Sequence, residues 1–367
     1  MLIRYGTDKN GRPVKKAVIY VKEEHGIQKA RIDFDAIHII TKLRDFGFHS
    51  YIVGGAVRDL IVGNVPKDFD IVTDATPSKI KKIFRNSRII GKRFRIVHVI
   101  FGSKIFEVST FRSISEGSVG NEFGTIDEDV QRRDFTLNAL YYNPVQEQVI
   151  DYVGGMRDIK KHIIRPVIPL NRIFVEDPVR MLRAIKYAAK TDSKIPYSVH
   201  HRIRQDAALL SQVSPSRLTE ELLKIINSGH ASQIIAQALD TDLYMALQPA
   251  ATALMYDNRK FETSYMKNMK KLDELVNKNN EVRLGEKLIF LIEDFIKTLT
   301  DWKRESENKT TSSELYVQTW TECRNFVLPM NPQRIELEYA IKSVLTSLGI
   351  NVKSKKKLPA KPKNQTN

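Results

Sequence analysis

The stretch Gly54-Gly55-Ala56-Val57-Arg58-Asp59, followed by Lys67-Asp68-Phe69-Asp70-Ile71-Val72, decides how this chain is read. Tyr51-Ile52-Val53 precedes it, a short apolar run that predicts a buried strand entering the two glycines directly. Glycine has no Cβ, so a triphosphate can come close to the backbone N–H groups of such a turn. Arg58, three residues past the second glycine, can pair with a phosphate. On a strand through Phe69 to Val72, alternation sends Asp68 and Asp70 to one face. Two carboxylates so close repel. A hard divalent cation relieves that cost, and Mg²⁺ prefers oxygen ligands together with substrate phosphates. Two such ions can serve both the attacking and the leaving oxygen of a phosphoryl transfer. Alone, a Gly-Gly pair is usually a turn and an Asp-x-Asp pair a solvated edge. Their succession as strand, Gly-Gly, helix and acidic strand points to a functional site for metal-assisted phosphoryl transfer.

Outward from this centre, residues 35–47 carry helical spacing, with Asp35 as a possible cap, Ile37, Ile40 and Leu43 on one face, and Gly47 as the stop. Thr76-Pro77 opens a second helix whose apolar face is Ile80, Ile83 and Phe84. Strand patterns cover Phe69 to Val72, Phe94 to Phe101 and Lys104 to Phe111, and Gly102-Ser103 between the last two predicts a hairpin. Residues 1–30 read as a basic arm or short hairpin. After residue 172 the strand signals fade. Helical spacing covers Glu176 to Lys190, Ser216 to Asn227, Ala231 to Leu247, Ser264 to Asn277 and Leu284 to Leu299. The fold class is therefore α+β: a small sheet with helices, then a mostly α-helical part.

Composition bounds the partners. The 367 residues suit two or three domains, and no apolar run reaches the length of a membrane span. Lys and Arg number 59 against 43 Asp and Glu, a formal charge of +16 that attracts polyanions such as nucleic acid. The single Cys323 excludes an internal disulfide. With no apolar secretory core at the N-terminus, a reducing cytoplasm is the expected location. Between Lys353 and Lys363 six lysines and two prolines form a basic tail expected to be disordered and open to phosphate.

The central motifs resemble the nucleotidyltransferase superfamily of DNA polymerase β, and more narrowly its class II branch of bacterial poly(A) polymerases and CCA-adding enzymes. The resemblance is dense through residue 190 and reaches about residue 250. It implies a polymerase-β-like head, Asp68 and Asp70 as carriers of two Mg²⁺ ions (Mn²⁺ can substitute), and ATP as substrate. Gly54, Gly55 and Arg58 would then hold the triphosphate. Two acids compete for the third acidic role: Glu107 in Ile105-Phe106-Glu107-Val108, an edge-strand charge on a plain reading, and Asp134 in Arg132-Arg133-Asp134-Phe135-Thr136-Leu137-Asn138-Ala139, a cap or a salt-bridge partner. The second motif resembles the family's Arg-Arg-Asp segment. That favours Asp134 as the third catalytic acid and Arg133 as a nucleotide contact, with Glu107 as an alternative on the metal-bearing face.

Glu176-Asp177-Pro178-Val179-Arg180-Met181-Leu182-Arg183 opens a helix with a basic stripe, ordinarily a solvated face. It resembles the family's Glu-Asp-x-x-Arg motif, which implies that Asp177 and Arg180 select the incoming base with Arg183 close by. Gly91-Lys92-Arg93-Phe94-Arg95-Ile96-Val97-His98-Val99 reads as a strand entered through a basic turn. It resembles the segment that marks bacterial poly(A) polymerases. The expected organisation is an arm (1–30), a catalytic head (31–172), a helical neck (173–255), a helical body (256–345) and a lysine-rich tail (346–367). The expected activity is addition of AMP to RNA 3′ ends, with mRNA as partner and RNA contacts at Lys92, Arg93, Arg95, Lys355, Lys356 and Lys357. CCA or A addition to tRNA is the alternative, and a catalytically silent RNA-binding relative the second alternative.

Overall fold

The computed structural model describes residues 2–7, 10–91, 95–113, 123–279, 281–299 and 312–350. The expected contacts Lys92 and Arg93 and the lysine tail with Lys355, Lys356 and Lys357 lie outside these residues. The chain divides into two compact units, 1–206 and 207–367.

The first unit holds a nine-stranded sheet. Its strands are β1 (Leu2–Thr7), β2 (Pro13–Tyr20), β3 (Ser50–Val53), β4 (Asp70–Thr73), β5 (Ser87–Ile90), β6 (Ile96–Phe101), β7 (Lys104–Thr110), β8 (Leu140–Asn143) and β9 (Gln148–Asp151). The spatial order is β1-β2-β9-β8-β3-β4-β7-β6-β5. Neighbours run antiparallel except β4 and β7, which are parallel with Ile71 opposite Val108. Of the two readings of residues 1–30, the described residues take the hairpin: β1 pairs with β2, and β2 joins the sheet through Val18 opposite Asp151.

Around the sheet lie α1 (Lys22–His25), α2 (Phe34–Asp45), α3 (Gly55–Ile61), α4 (Pro77–Ile83), α5 (Ile126–Gln131), α6 (Gly155–Lys160), α7 (Ile173–Glu176), α8 (Val179–Lys190) and α9 (Tyr197–Asp206). The cap of α2 is Asp33, not Asp35: its side chain accepts from the Asp35 N–H, and both carboxylates take Lys104 (2.8 and 3.1 Å). Alternation along the strands separates two cores. Ile52, Ile71, Val97, Val108 and Tyr142 pack with Ile39, Leu43, Val57 and Ile80 on one face. Tyr51, Val53, Val72, Phe111, Tyr141 and Ile150 form a smaller core with Val130 of α5 on the other. On β6 the inward residues are Val97 and Val99, because these meet the larger core; His98 stands on the opposite face.

The second unit is helical among the described residues: α10 (Pro215–Ile226), α11 (Ala231–Asp240), α12 (Tyr244–Leu247), α13 (Pro249–Asp257), α14 (Arg259–Lys278), α15 (Leu284–Leu299), α16 (Ser312–Phe326) and α17 (Arg334–Ser347). The helix expected over 231–247 is two, broken where Asp242 takes a left-handed φ of 60°. Helices α9, α13, α16 and α17 were not evident from sequence spacing. No described helix is long and apolar enough to cross a membrane.

Candidate active site

Two elements meet at the site. β3 delivers the chain into Gly54, whose φ of 68° and ψ of −132° suit glycine, and α3 starts at Gly55. The N-terminus of α3 has no side-chain cap. The contrast with the second Gly-Gly turn is informative. There Asp151 accepts from the N–H groups of Val153, Gly154, Gly155 and Met156 at 2.7–3.1 Å, so an internal carboxylate fills the turn. At Gly54-Gly55 the neighbours are cations instead. Arg133 Nη1 lies 3.7 Å, and Arg58 Nη2 3.5 Å, from where a Cβ on Gly54 and Gly55 respectively would sit. An uncapped turn beside guanidinium groups suits an external anion.

The acidic side is built by β4 and β7. Asp70 begins β4, and Asp68 lies just ahead of it, with Phe69 buried between them, so the two carboxylates share the exposed side. The register of Ile71 with Val108 sets Glu107 beside Asp70. Partial desolvation by the surrounding atoms, with the charges of Glu107 and Asp68, pushes the Asp70 carboxyl above its usual range, while Arg133 opposes. Glu107 also approaches His98 Nε2 at 3.6 Å from across β6. Among the described residues no group of three or more His, Cys, Asp or Glu side chains is arranged to hold a metal ion. Glu107 lies close enough to Asp70 for its charge to act on it.

Asp134 goes elsewhere. It is 6% exposed, accepts from the Phe135 N–H (2.8 Å) and Asn138 Nδ2 (3.3 Å), and its other oxygen lies 2.8 Å from Arg183 Nε. Of the two candidate third acids, the sheet brings Glu107 to Asp70, while Asp134 ties the head to α8. Arg58, next to the glycine turn, is also tied to its own neighbours. Only 3% exposed, it donates to Asp59 Oδ1 (2.8 and 3.0 Å) and Asn138 Oδ1 (2.7 Å) and lies over the Tyr187 ring. Its first task is internal.

Arg133 keeps the expected place beside the glycine turn, held by residues the sequence did not single out. It donates to Asp129 Oδ2 (2.9 and 3.2 Å) and to the Tyr141 hydroxyl (2.9 Å), which itself donates to Asp129 (2.6 Å). Burial disfavours the guanidinium charge, but Tyr141 and Asp129 outweigh it and hold the group above its usual range. Asp129 was hidden in the acidic run Asp127-Glu128-Asp129, where a solvated helix face is the ordinary reading. Its only sequence signal is i, i+4 spacing to Arg133.

On α8, the side chains of Met181, Leu182 and Ile185 are buried, each contributing about 1.5–3 kcal/mol. An exposed ion pair adds about 1 kcal/mol at most. Apolar burial therefore anchors this helix, and the polar contacts set its rotation. Arg183 reaches Asp134 and the Tyr187 hydroxyl (2.9 Å); Lys190 reaches Asp59 Oδ2 (2.7 Å). Much of the basic stripe is thus a seam against the head. Asp177 Oδ1 accepts from the Val179 N–H (3.3 Å), and Arg180 Nη1 donates to Ile173 O and Glu176 Oε2, both at 3.1 Å. Arg95 is exposed at the foot of β6.

The poly A polymerase head domain model matches residues 50–165, and a model described as "Probable RNA and SrmB- binding site of polymerase A" matches residues 194–255. The chain is 39% identical over 290 residues to poly(A) polymerase I of Salmonella typhi, covering 74% of this chain and 62% of that protein. It is 35% identical over 214 residues to the CCA-adding enzyme of Lactobacillus helveticus, covering 57% and 53% of the two chains. The crystal structure of the Bacillus stearothermophilus CCA-adding enzyme in complex with CTP superposes with a TM-score of 0.55 at 25% identity, covering 86% of this chain and 82% of that one. The chain spans about 62% of the length of the poly(A) polymerase it matches. With the open Gly-Gly turn, the acidic strand and the helical second unit, these likenesses show a chain that carries a poly A polymerase head domain and is similar to poly(A) polymerases and CCA-adding enzymes.

Proposed function

We propose that the chain is a polynucleotide adenylyltransferase that adds AMP from ATP to RNA 3′ ends without a template and releases pyrophosphate. The observation that carries the reading is the crowding of Asp70 by Glu107 and Asp68 beside an uncapped Gly54-Gly55 turn flanked by Arg133.

The residues fit a divalent cation. Carboxylates held together against repulsion invite one, and Mg²⁺ takes one or two carboxylates plus substrate phosphates rather than a protein cage. Fewer than three protein donors is therefore no obstacle. Asp68 and Asp70 are the residues to hold it. When bound, the ions neutralise charge on the reacting phosphates and favour ionisation of the RNA 3′-hydroxyl. The N–H groups of the glycine turn donate to the triphosphate, and Arg133, aimed by Asp129 and Tyr141, attracts the same anion. Asp134 and Asp59 fix α8 through Arg183 and Lys190. That orients the segment with Asp177 and Arg180, where hydrogen bonds to the base select adenine. Glu176 and Ile173 hold Arg180 in one pose for that task. The domain limits expected from sequence, with a head to 172, a neck to 255 and a body beyond, are proposed with it, as is a cytoplasmic setting in mRNA polyadenylation and RNA turnover.

The 39% identity to a poly(A) polymerase over 74% of the chain, against 35% over 57% for a CCA-adding enzyme, favours poly(A) addition. CCA or A addition to tRNA is the second reading, supported by the likeness to a CTP-bound CCA-adding enzyme. Incubation with Mg²⁺ or Mn²⁺, each NTP separately, a tRNA lacking its CCA end and an unrelated RNA separates them. Adenylate tails on both RNAs support the first; CTP incorporation confined to the tRNA supports the second. No incorporation at all overturns both and leaves an RNA-binding relative without activity.

A further inference from the structure

We infer that the exposed face of α9 is a stacking site for single-stranded RNA, with Tyr197 as its platform; this rests on the reading of the chain as an RNA-binding enzyme. Helical spacing divides α9 into two faces. Val199 and Ile203 are buried, whereas Tyr197, His201 and Arg204 recur at i, i+4 and i+7 on the exposed side. Tyr197 is 82% exposed, and its ring stacks on His201, with centroids 6.0 Å apart and planes 13° from parallel. The two rings lie side by side and nearly parallel, and the Tyr197 ring is left open to an incoming base. Every base has a π-face, so such a platform binds a strand with little regard to sequence.

The surroundings carry the sign a phosphate backbone needs. Arg204 lies one turn beyond His201, and the nearby Asp206 carboxylate is engaged by Arg202 at 2.6 Å. Ahead of the helix, exposed Lys194 is pinned by two backbone bonds, its own N–H to His162 O (2.7 Å) and Ile164 N–H to Lys194 O (3.0 Å). These bring the exposed pair Lys160-Lys161 alongside. Among the described residues no carboxylate pairs with Lys194 or Arg204. An outward aromatic pair between unpaired cations matches a single strand, whose bases are free to stack. It matches duplex RNA poorly, because the bases there are already stacked.

The test is anisotropy of labelled single-stranded oligo(A) and of a duplex RNA with the full chain, without nucleotide. Tyr197→Ala should weaken oligo(A) binding on the order of tenfold and Tyr197→Phe should retain it, with duplex binding unmoved. Arg204→Gln should reduce the salt slope by about one. His201→Ala, which removes the neighbouring ring, reads the same contact through a second variant. Oligo(A) affinity within about twofold of the parent in Tyr197→Ala, or equal loss on both RNAs, overturns the stacking site. If oligo(A) binding depends on Tyr197 but no nucleotide is incorporated, the adenylyl-transfer reading fails and the stacking site stands. If transfer proceeds and Tyr197→Ala binds like the parent, the stacking site alone fails.

Discussion

Glu107 on β7 stands beside Asp70 on β4 because the parallel pairing of Ile71 with Val108 carries the two preceding residues into register, and its charge helps push the Asp70 carboxyl up. The strand end is thereby electrostatically uncomfortable without a cation. Asp68→Ala and Asp70→Ala should each lower AMP incorporation by roughly a hundredfold or more. The same variants should melt no lower than the parent in chelator, since a repelling carboxylate is gone. Mg²⁺ should raise the melting temperature of the parent more than that of either variant. Scanning fluorimetry with and without Mg²⁺ reads this. Equal Mg²⁺ stabilisation of parent and variants would remove the two aspartates from cation binding.

Arg133 depends on Asp129 and Tyr141 for its aim and for the counter-charge that lets it stay buried. Asp129→Ala leaves a mostly buried guanidinium without its counter-ion, which should cost about 3 kcal/mol in urea denaturation. Tyr141→Phe removes only a hydroxyl and should cost about 1 kcal/mol, while raising the KM for ATP because Arg133 is less firmly aimed at the glycine turn. Unchanged KM in Tyr141→Phe would deny Arg133 a part in nucleotide binding.

Asp134 and Arg183 form a partly exposed pair, so the cost of breaking it is discounted for water reaching Arg183. Asp134→Ala should lose about 1–2 kcal/mol. In the double variant with Arg183→Ala the loss should be smaller than the sum of the singles. Activity should fall through misplacement of α8. An Asp134→Ala protein with parental stability and no transfer would give Asp134 a chemical task instead.

Glu336 at the start of α17 receives three hydrogen bonds from Arg283, two of them shared by Nε, and one from the Gly285 N–H. The Arg283 bonds, ahead of the opposing effect of burial, hold its carboxyl below the usual range. A lowered folded-state value means that the stabilisation is present at neutral pH and disappears as pH falls through that lowered value. Glu336→Gln should therefore cost about 1 kcal/mol at neutral pH, since the pair is largely at the surface. Parent and variant should converge in acid, as read from urea midpoints across pH.

The sequence by itself determined the likeness to poly(A) polymerases, the α+β head and its helical continuation, and the pairing of a Gly-Gly turn with Asp68 and Asp70. These are local signals: a strand running into glycines, and side-chain alternation on one strand, need no distant partner to be read. Tertiary structure alone decided what the surrounding charges do. Glu107 reaches Asp70 only through strand register, Asp134 finds Arg183 across 49 positions of chain, and Asp59 finds Lys190 across 131. It also turned part of a basic helical stripe into a docking seam. In sequence a charged residue between apolar ones looks the same whether it faces water or a buried counter-ion. The difference lies in which non-local groups desolvate it, and only the fold brings those groups together.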